Sequence, residues 1–423
     1  MITEKAKLII EKGYICDNCL GRQFAQLTKG TTNAVRGKAI RDVFAFSADA
    51  ENKTDIDIAN IASYDFRNYK IPAREKKPVC KICGNFFITL PAIAENVAKK
   101  ISKYEYKTLI VGTKVSGDLA RREEELWEVF GTDCCEPIKA EINREIGKIL
   151  EKKTGKKADF ENPDIVVIID TENKKIEIHP NQVWIYGLYQ KLARGIPQTK
   201  WPCRSCHGKG CKHCNGKGKM YPTSVEEIIA KPLISAAEAT GSSLHGAGRE
   251  DIDARCLGWR PFVIEIENPV KRAINLREME KKVNKDKRVK VKLIKFCNKD
   301  TARKIKAAKL AKTYKIVVGF KKQIGRDDIK KILKIKDLIK QRTPQRVSHR
   351  RADLVRERKI LRITGRILSK KEAEFTIKTE AGMYVKELVS GDNGRTEPSF
   401  TGIAGKEAKV KTLDVVKIDN IKV

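Results

Sequence analysis

Residues 243–269 read SLHGAGREDIDARCLGWRPFVIEIENP and place a cluster of alternating charge directly before an apolar strand. Gly246, Gly248 and Gly258 bracket the charged residues, so the backbone can turn sharply on both sides of them. An ionised aspartate on a glycine-flexible loop of a basic protein is a candidate nucleophile or general base. Asp251 is therefore the first candidate, although an Asp and an Arg on one loop more often form a structural ion pair.

The whole chain carries a large positive charge. Its 423 residues include 88 Lys or Arg and 54 Asp or Glu, which gives a formal net charge of +34. Nucleic acid is the usual partner of such an excess, because each phosphate that a cation neutralises releases a counterion. A solvated, lysine-rich surface is the alternative explanation.

Length and hydropathy exclude several classes of protein. The length suggests two to four domains. No stretch approaches the roughly 20 apolar residues of a membrane span, and the N-terminal segment lacks the apolar run of a secretory signal. We therefore expect no association with a membrane and a cytoplasmic location, where cysteines stay reduced.

Eight of the 12 cysteines form four CxxC pairs, a spacing that places two thiolates on one tight turn for tetrahedral zinc. The first two pairs are Cys16/Cys19 and Cys80/Cys83, which lie far apart in the chain. A shared four-cysteine zinc site therefore requires the fold to bring the two turns together. Two unrelated turns or a redox dithiol are the alternatives.

The other two pairs belong to a tandem repeat, CRSCHGKG at 203–210 and CKHCNGKG at 211–218. The repeat supplies four thiolates for one closed zinc site, from Cys203, Cys206, Cys211 and Cys214. Its glycines allow sharp turns and donate N–H groups toward sulfur. The pattern is similar to the zinc repeats of DnaJ-type chaperones, which hold more repeats. A closed four-thiolate site has no open position, so we expect both sites to be structural, with iron as the alternative metal.

Apolar periodicity indicates an α+β chain with several modules. It predicts a strand at 106–115, an amphipathic helix at 134–155, and a hairpin within 164–192 that turns at Glu172-Asn173-Lys174. Strand, helix and hairpin with many basic residues suit an RNA-binding module. The predicted division is a zinc-supported module at 1–103, the RNA-binding module at 104–200, the CxxCxGxG element at 201–220, and a second half at 221–423.

Three long segments resemble one known family. GRED at 248–251 resembles the catalytic Gly-Arg-x-Asp motif of pseudouridine synthases, and GREDIDARCLGWRPF resembles the archaeal tRNA pseudouridine-54/55 synthase family. QRTPQRVSHRRADLVRERKI at 341–360 and AGMYVKELVSGDNGRTEPSF at 381–400 resemble the same family. The resemblance implies a THUMP-like region after the zinc knuckles. It also implies a C-terminal catalytic domain with a mixed antiparallel sheet flanked by helices.

The resemblance also implies roles for individual residues. Asp251 corresponds to the catalytic nucleophile, with Asp253 as its nearest competitor. Tyr314, in KTYKIVV, would stack on the extruded base, and its hydroxyl would assist removal of the proton at C5. Lys386, in YVKELV, would pair with Asp251, while Val385 packs on the base. Without the resemblance, Tyr314 reads as a core residue and Lys386 as a solvated one.

Further residues are expected to contact RNA. Arg249 would take the place of the flipped nucleotide or pin its phosphate, and Leu413 would form an apolar wall. The 341–360 segment has basic residues three to four positions apart, which predicts a helix with a basic face. Its candidates for contact with the tRNA backbone are Arg346, Arg350 and Arg351. A plain charged surface helix is the alternative.

The implied reaction converts uridine into pseudouridine in the TΨC loop of tRNA, at positions 54 and 55. It breaks the N1–C1′ bond, rotates the uracil and joins C5 to C1′, with the base flipped out of its stack. No redox change or group donor is required, so we expect structural zinc, no organic cofactor, and tRNA as the partner without a partner protein. The residues leave open whether one or both uridines react, and whether the carboxylate adds to C6 or assists loss of the base.

Three other functions compete with this one. A zinc-stabilised RNA-binding adaptor would use the same charge and cysteines but would not need GRED, Tyr314 and Lys386 together. A THUMP-bearing methyltransferase or thiouridine synthase needs a glycine-rich nucleotide loop or an ATP loop, and the sequence contains neither. A DnaJ-like chaperone needs a His-Pro-Asp motif, which is also absent from the sequence.

Overall fold

The structure is a computed structural model that describes residues 2–61, 66–68, 78–335 and 338–421. The chain divides into two compact units, Met1–Asn181 and Gln182–Val423. The domain boundaries that the sequence predicts at residues 103, 200 and 220 stay predictions.

The first unit is mainly helical. Its helices are α1 (Ile2–Glu11), α2 (Asp17–Gly21), α3 (Asn33–Glu51), α4 (Phe86–Ile101), α5 (Gly117–Phe130) and α6 (Ile138–Thr154). Short 3₁₀ helices occupy Arg22–Phe24 and Ile58–Asn60. The strands are β1 (Thr108–Lys114), β2 (Lys157–Ala158), β3 (Ile165–Asp170) and β4 (Lys175–Pro180), in the order β2-β1-β3-β4.

The elements predicted in this unit form where apolar periodicity placed them. Strand β1 lies within 106–115, and α6 buries Ile138, Ile142, Ile146 and Leu150 against the sheet core. Gly155 ends α6 in the left-handed conformation, at a φ of 69°, which glycine adopts at little cost. Strands β3 and β4 form the predicted antiparallel hairpin.

The second unit contains a ten-stranded mixed sheet flanked by helices, which confirms the predicted α+β class. Its strands are β5 (Val183–Lys191), β6 (Gly241–Gly246), β7 (Arg255–Glu267), β8 (Val289–Cys297), β9 (Lys312–Phe320), β10 (Leu338–Arg342), β11 (Val355–Ser369), β12 (Glu372–Thr379), β13 (Thr396–Glu397) and β14 (Ala408–Ile418). Its helices are α7 (Val225–Ala237), α8 (Leu276–Val283), α9 (Lys299–Ala307), α10 (Arg326–Leu333), α11 (Val385–Ser390) and α12 (Phe400–Ala404). Short 3₁₀ helices lie at Lys212–Cys214 and Gln345–Arg350.

The strand order creates the place where a site can form. The order is β13-β10-β11-β12-β9-β14-β7-β5-β8, with β6 paired to β7. All described pairs in this sheet are antiparallel except β14 with β7, which join at only two positions, Asp414 with Arg255 and Val415 with Cys256. This short parallel contact lies where the loop at 247–254 enters β7, so side chains from β9, β14 and that loop converge.

Two predicted elements differ from the structure. The 341–360 segment is not a basic helix: it is the end of β10, a short 3₁₀ turn and the start of β11. Pro344 disfavours helix at the residue before it and removes a backbone donor. Exposure alternates from residue to residue between Val355 and Ile360, which is the period of a strand. The strand β5, which was assigned to the 104–200 module, pairs with β7 and β8 in the second unit.

Among the described residues, we find no helix with the length and apolar character needed to cross a bilayer.

Candidate active site and cysteine clusters

The candidate site is built on the loop 247–254, which connects β6 to β7. Gly248 has a φ of 84°, and a Cβ there would lie 3.2 Å from Nη1 of Arg260 and 3.3 Å from Cε of Lys312. A side chain at this position would therefore be strained and crowded, which explains the glycine. The tight turn presents the next residues, Arg249, Glu250 and Asp251, in three different environments.

Asp251 lies in the cleft between two cations. Its Oδ1 is 3.3 Å from Nη1 of Arg346, and its Oδ2 is 3.3 Å from Nζ of Lys386. The side chain is 35% exposed, so it is open to a substrate while both of its oxygens have a charged partner. The predicted pairing of Lys386 with Asp251 is present in the structure.

Asp253 shares Lys386 with Asp251 but is more exposed. Nζ of Lys386 lies 2.8 Å from both carboxylate oxygens of Asp253, whose side chain is 69% exposed. Partial burial acts to raise the pKa of Asp253, but the hydrogen bond and the charge of Lys386 outweigh it and lower that pKa. The two carboxylates therefore differ in exposure and in their second partner, which is Arg346 for Asp251 alone.

The cleft has an aromatic and apolar side. Tyr314 projects from β9 and is nearly buried, and burial raises its pKa to about 12, so the phenol is neutral at pH 7. Val385, at the start of α11, and Leu413, on β14, are also buried and line the same cleft. Tyr314, Val385 and Leu413 thus line the same cleft as Asp251.

Arg249 lies on the rim, over an aromatic ring. Its guanidinium carbon is 5.0 Å from the centre of the Trp201 ring, within the range of a cation–π contact. Trp201 in turn packs edge-on against Tyr221 at 5.6 Å. Trp201, which precedes the CxxCxGxG element, was not among the residues predicted from the sequence.

The three arginines expected to contact RNA have different surroundings. Nε of Arg346 is 2.6 Å from Oε1 of Glu387, so this guanidinium bridges Glu387 and Asp251. Nη1 of Arg351 donates to the hydroxyl of Tyr384 at 3.2 Å and stays exposed. The side chain of Arg350 lies outside the described part of the structure. Arg356 and Arg358, from β11, line the cleft as well.

The cleft has a volume of about 820 Å³ and contains every predicted catalytic residue. A larger groove of about 1230 Å³ lies between Leu338, Lys340 and the segment 390–409. It contains none of the predicted site residues. We therefore place the candidate active site in the smaller cleft, on chemistry rather than size.

The first cysteine cluster lies within the core of the first unit. The Sγ atoms of Cys16, Cys19, Cys80 and Cys83 all lie within 4.8 Å of one another, so the fold brings the two distant turns together as predicted. Cys16 and Cys83 are 3.6 Å apart, close to the ~3.8 Å edge of a tetrahedron with zinc–sulfur bonds of about 2.3 Å. Nη1 of Arg22, which is fully buried, donates to Cys19 at 3.3 Å.

The second cluster is a short local hairpin. The sulfurs of Cys203, Cys206, Cys211 and Cys214 lie within 4.8 Å of one another, with several separations of 3.8–3.9 Å. The N–H groups of Gly210 and Gly218 donate to Cys206 and Cys214 at 3.2 and 3.1 Å, as predicted for the repeat glycines. Both sets of four thiols therefore fit a structural metal ion.

Several residues of the site were missed by sequence reasoning. Lys191 and Tyr189 occupy the buried face of β5, and Glu250 and Arg260 form a buried ion pair of 3.0 Å below the loop. The sequence contained a signal for Lys191. This lysine continues the row of alternate β5 residues that face the core, and a buried lysine is rare unless it has partners. Lys312 also lines the cleft, and burial, with the nearby charge of Arg260, lowers its pKa to about 8.

Comparison with protein families gives two matches. The model described as "Pus10, C-terminal" matches residues 184–419, and the model described as "Pus10 THUMP domain, archaeal" matches residues 93–170. The predicted THUMP-like region is thus confirmed.

Curated relatives match nearly the whole chain. The tRNA pseudouridine synthase Pus10 of Methanothrix thermoacetophila is 38% identical across 98% of this chain and 93% of its own length. The protein of the same name from Pyrococcus furiosus is 37% identical across 99% and 98%, and that from Archaeoglobus fulgidus is 42% identical across 80% and 94%.

Likeness to solved structures is weaker. A chain in a crystal structure of a Cbf5-Nop10-Gar1 complex is 15% identical, has a TM-score of 0.30, and covers 54% of this chain and 47% of that chain. A crystal structure of pseudouridylate synthase is 14% identical with a TM-score of 0.23, covering 66% and 84%. These TM-scores are too low to support a statement about the site.

Proposed function

The chain belongs to the Pus10 family of tRNA pseudouridine synthases, and on that premise we propose that it isomerises the uridines at positions 54 and 55 of the TΨC loop with Asp251 as the nucleophile. The family resemblance predicted from the sequence is confirmed. The single observation that supports the nucleophile is the position of Asp251, in a cleft between Arg346 and Lys386 and beside Tyr314.

The chemistry needs a carboxylate that stays ionised in a partly dry cleft. Taking a carboxylate out of water is costly unless charged partners replace its hydration. Arg346 and Lys386 provide that replacement, one on each oxygen. The Asp251 carboxylate bonds to the sugar or to C6 of the base, or assists loss of the base without bonding, as the N1–C1′ bond breaks. The uracil turns, C5 bonds to C1′, and any bond to the carboxylate breaks. C5 gives its proton to the freed carboxylate or to water, and N1 takes up a proton from water, so the product is an isomer of the substrate.

Tyr314 acts mainly through its ring. The phenol is protonated at pH 7, and its burial raises its pKa further, so the side chain presents an uncharged aromatic ring with a polar tip. The extruded uracil stacks on this ring, between the walls formed by Val385 and Leu413. Stacking on an aromatic side chain contributes about 1–3 kcal/mol per base, which offsets part of the cost of flipping it out.

Cations around the cleft bind the tRNA backbone. Arg249, Arg351, Arg356 and Arg358 line the cleft or its rim, and each neutralised phosphate adds a salt-dependent increment to affinity. Arg249 fills the gap that the flipped nucleotide leaves or holds its phosphate. Zinc in the two cysteine clusters serves the fold, since four thiolates leave no coordination position for a substrate.

The test is release of tritium from tRNA transcripts labelled at C5 of uridine, since C5 loses its hydrogen when it becomes the glycosidic carbon. Two transcripts carry uridine at only one target position, with cytidine at 54 or at 55. We expect the wild-type enzyme to release tritium from both. Asp251→Asn lowers the rate at least about 10⁴-fold, because loss of a nucleophile removes the chemical step, while tRNA binding is retained.

Asp253→Asn is the matched control. It removes a carboxylate two residues away that contacts the same Lys386, and its exposed ion pair contributes little, so the rate stays within about tenfold. If Asp253→Asn loses activity while Asp251→Asn retains it, the nucleophile is Asp253 instead. Tight tRNA binding by the wild type without tritium release would instead establish an RNA-binding adaptor.

A further inference from the structure

We propose that residues 191–198 (KLARGIPQ) form a mould that fixes the loop carrying Asp251, with Lys191 as its central positioning residue. The proposal rests on the proposed role of Asp251 and adds residues to which the family motifs assigned no role.

Side-chain and backbone donors from residues 191–198 form hydrogen bonds with four carbonyl groups of the loop 247–254. Nζ of Lys191 donates to the carbonyls of Asp251 and Ile252, both at 3.0 Å. The N–H of Gly195 also donates to Ile252, at 2.9 Å. Nη1 of Arg194 donates to the carbonyl of Asp253 at 2.8 Å, and Nε2 of Gln198 donates to that of Gly248 at 3.0 Å.

Lys191 is the strongest of these donors because it is fully buried. Its side chain has 0% exposure, and its ammonium donates to the carbonyl oxygens of Asp251 and Ile252. Such a group costs several kcal/mol to bury, and two carbonyl oxygens are what replaces its water. The loop backbone at Asp251 and Ile252 therefore cannot move without leaving a buried charge unsolvated.

A second layer fixes the segment itself. Nε2 of Gln198 donates to the Tyr189 hydroxyl at 2.7 Å, and that hydroxyl donates to Glu250 at 3.1 Å. Glu250 is paired with Arg260, whose Nη1 donates to the carbonyl of Ala247 at 2.8 Å. The charge of Glu250 also acts on the buried ammonium of Lys191, so the second layer is connected to the donor that holds the loop.

The loop is thus held from two sides by different elements. The mould holds its backbone from below, while Arg346 and Lys386 hold the Asp251 carboxylate from the rim. A displacement of about 1 Å of a reacting group costs on the order of 10²-fold in rate. Fixing the backbone therefore affects the chemical step more than it affects tRNA binding.

The experiment compares Lys191→Met with the wild type in full-length enzyme. Methionine retains the length and apolar stem but has no donor. We expect kcat for tritium release to fall about 100-fold, with KM and the Kd for tRNA within twofold of the wild type. Rates are expressed per enzyme that binds tRNA, so misfolded protein does not lower them.

Two further variants keep the test decisive. Ile264→Ala removes a buried side chain from β7 at a site outside the loop, and it controls for loss of stability alone: kcat per folded enzyme stays within threefold. If Lys191→Met does not fold, Gln198→Leu replaces it and lowers kcat about tenfold without changing Kd, because only one loop contact is lost.

Different outcomes overturn the role of Asp251 and the role of the mould. If Asp251→Asn retains activity, the nucleophile assignment is wrong and the mould loses its target. If Asp251→Asn is inactive but Lys191→Met, or Gln198→Leu in its place, turns over at the wild-type rate, the mould alone is overturned. An equal loss in Lys191→Met and Ile264→Ala would also overturn it, since the effect would then be one of stability.

Discussion

The two cysteine clusters contain the same four ligands but are built in opposite ways. The first joins two turns separated by more than 60 positions, with Cys19 and Cys80 at 0% exposure inside the apolar core of the first unit. The second closes within residues 203–214, and none of its cysteines belongs to the apolar cores identified in the described part of the second unit. The first cluster is thus a cross-link of the fold, and the second is a local element.

The difference predicts that the sequence separation of the cysteines sets the effect of a bound metal on stability. Joining distant residues removes more conformational freedom from the unfolded chain than joining near ones, although the gain rises only slowly with loop length. Binding to a site that forms only on folding adds its free energy to the stability of the whole unit. We therefore expect the first cluster to control folding and the second to control local geometry beside the cleft.

The largest effect is expected from Cys80→Ser in the first cluster. The variant should bind one zinc ion per chain where the wild type binds two, and the first unit should lose on the order of 10 kcal/mol of stability, enough to unfold it. Elemental analysis and limited proteolysis of residues 2–181 measure this. A protease-resistant first unit in a zinc-depleted Cys80→Ser variant would contradict the cross-link.

Cys206→Ser is the matched change in the second cluster. It should also remove one zinc ion, but the second unit should unfold at nearly the same temperature, because its cores contain no ligand. Since the base of the hairpin carries Trp201, on which Arg249 rests, the rate of tritium release should fall about tenfold. Global unfolding of this variant would show that the two clusters do not differ as proposed.

An intermediate effect is expected from Arg22→Met. Arg22 is buried between Cys19 and Glu123, with its Nη2 3.3 Å from Oε1 of Glu123. Removing one partner of a buried pair leaves the other charge uncompensated, at a cost of about 3–5 kcal/mol. Chemical denaturation of the first unit measures it. Arg22→Lys, which retains the charge, should cost less, and equal losses in the two variants would point to packing instead.

The smallest effects separate two glycines of the second cluster. A Cβ on Gly218 would overlap the carbonyl oxygen of Gly208, whereas a Cβ on Gly216 meets nothing within 4 Å. Both have positive φ, 66° and 75°. Gly216→Ala should cost only the backbone strain, about 1–2 kcal/mol, while Gly218→Ala should weaken zinc binding at least tenfold in chelator competition. Equal affinities in the two variants would show that the hairpin does not depend on this close approach.

The sequence predicted the candidate metal ligands and the candidate nucleophile better than it predicted the residues that hold them in place. The CxxC spacing, the repeat glycines and the GRED motif identified ligands and a nucleophile candidate, because these depend on residues close in the chain. Apolar periodicity likewise predicted β1, α6 and the β3–β4 hairpin. The 341–360 segment was predicted as a helix because its basic residues lie three to four positions apart, as on a helix face. The same spacing also fits two strand ends joined by a turn that contains a proline, which is what forms.

The sequence by itself determined the ligand sets, the charge and the residue types of the cleft, since these are properties of composition and short-range spacing. Only the tertiary structure decided which residues meet. Lys191 lies 60 positions before Asp251, and Arg346 lies 95 positions after it, yet both contact it. Such contacts depend on the strand order around β7 and β14. That order forms because the apolar faces of all strands are buried together, so no short stretch of the sequence reveals it.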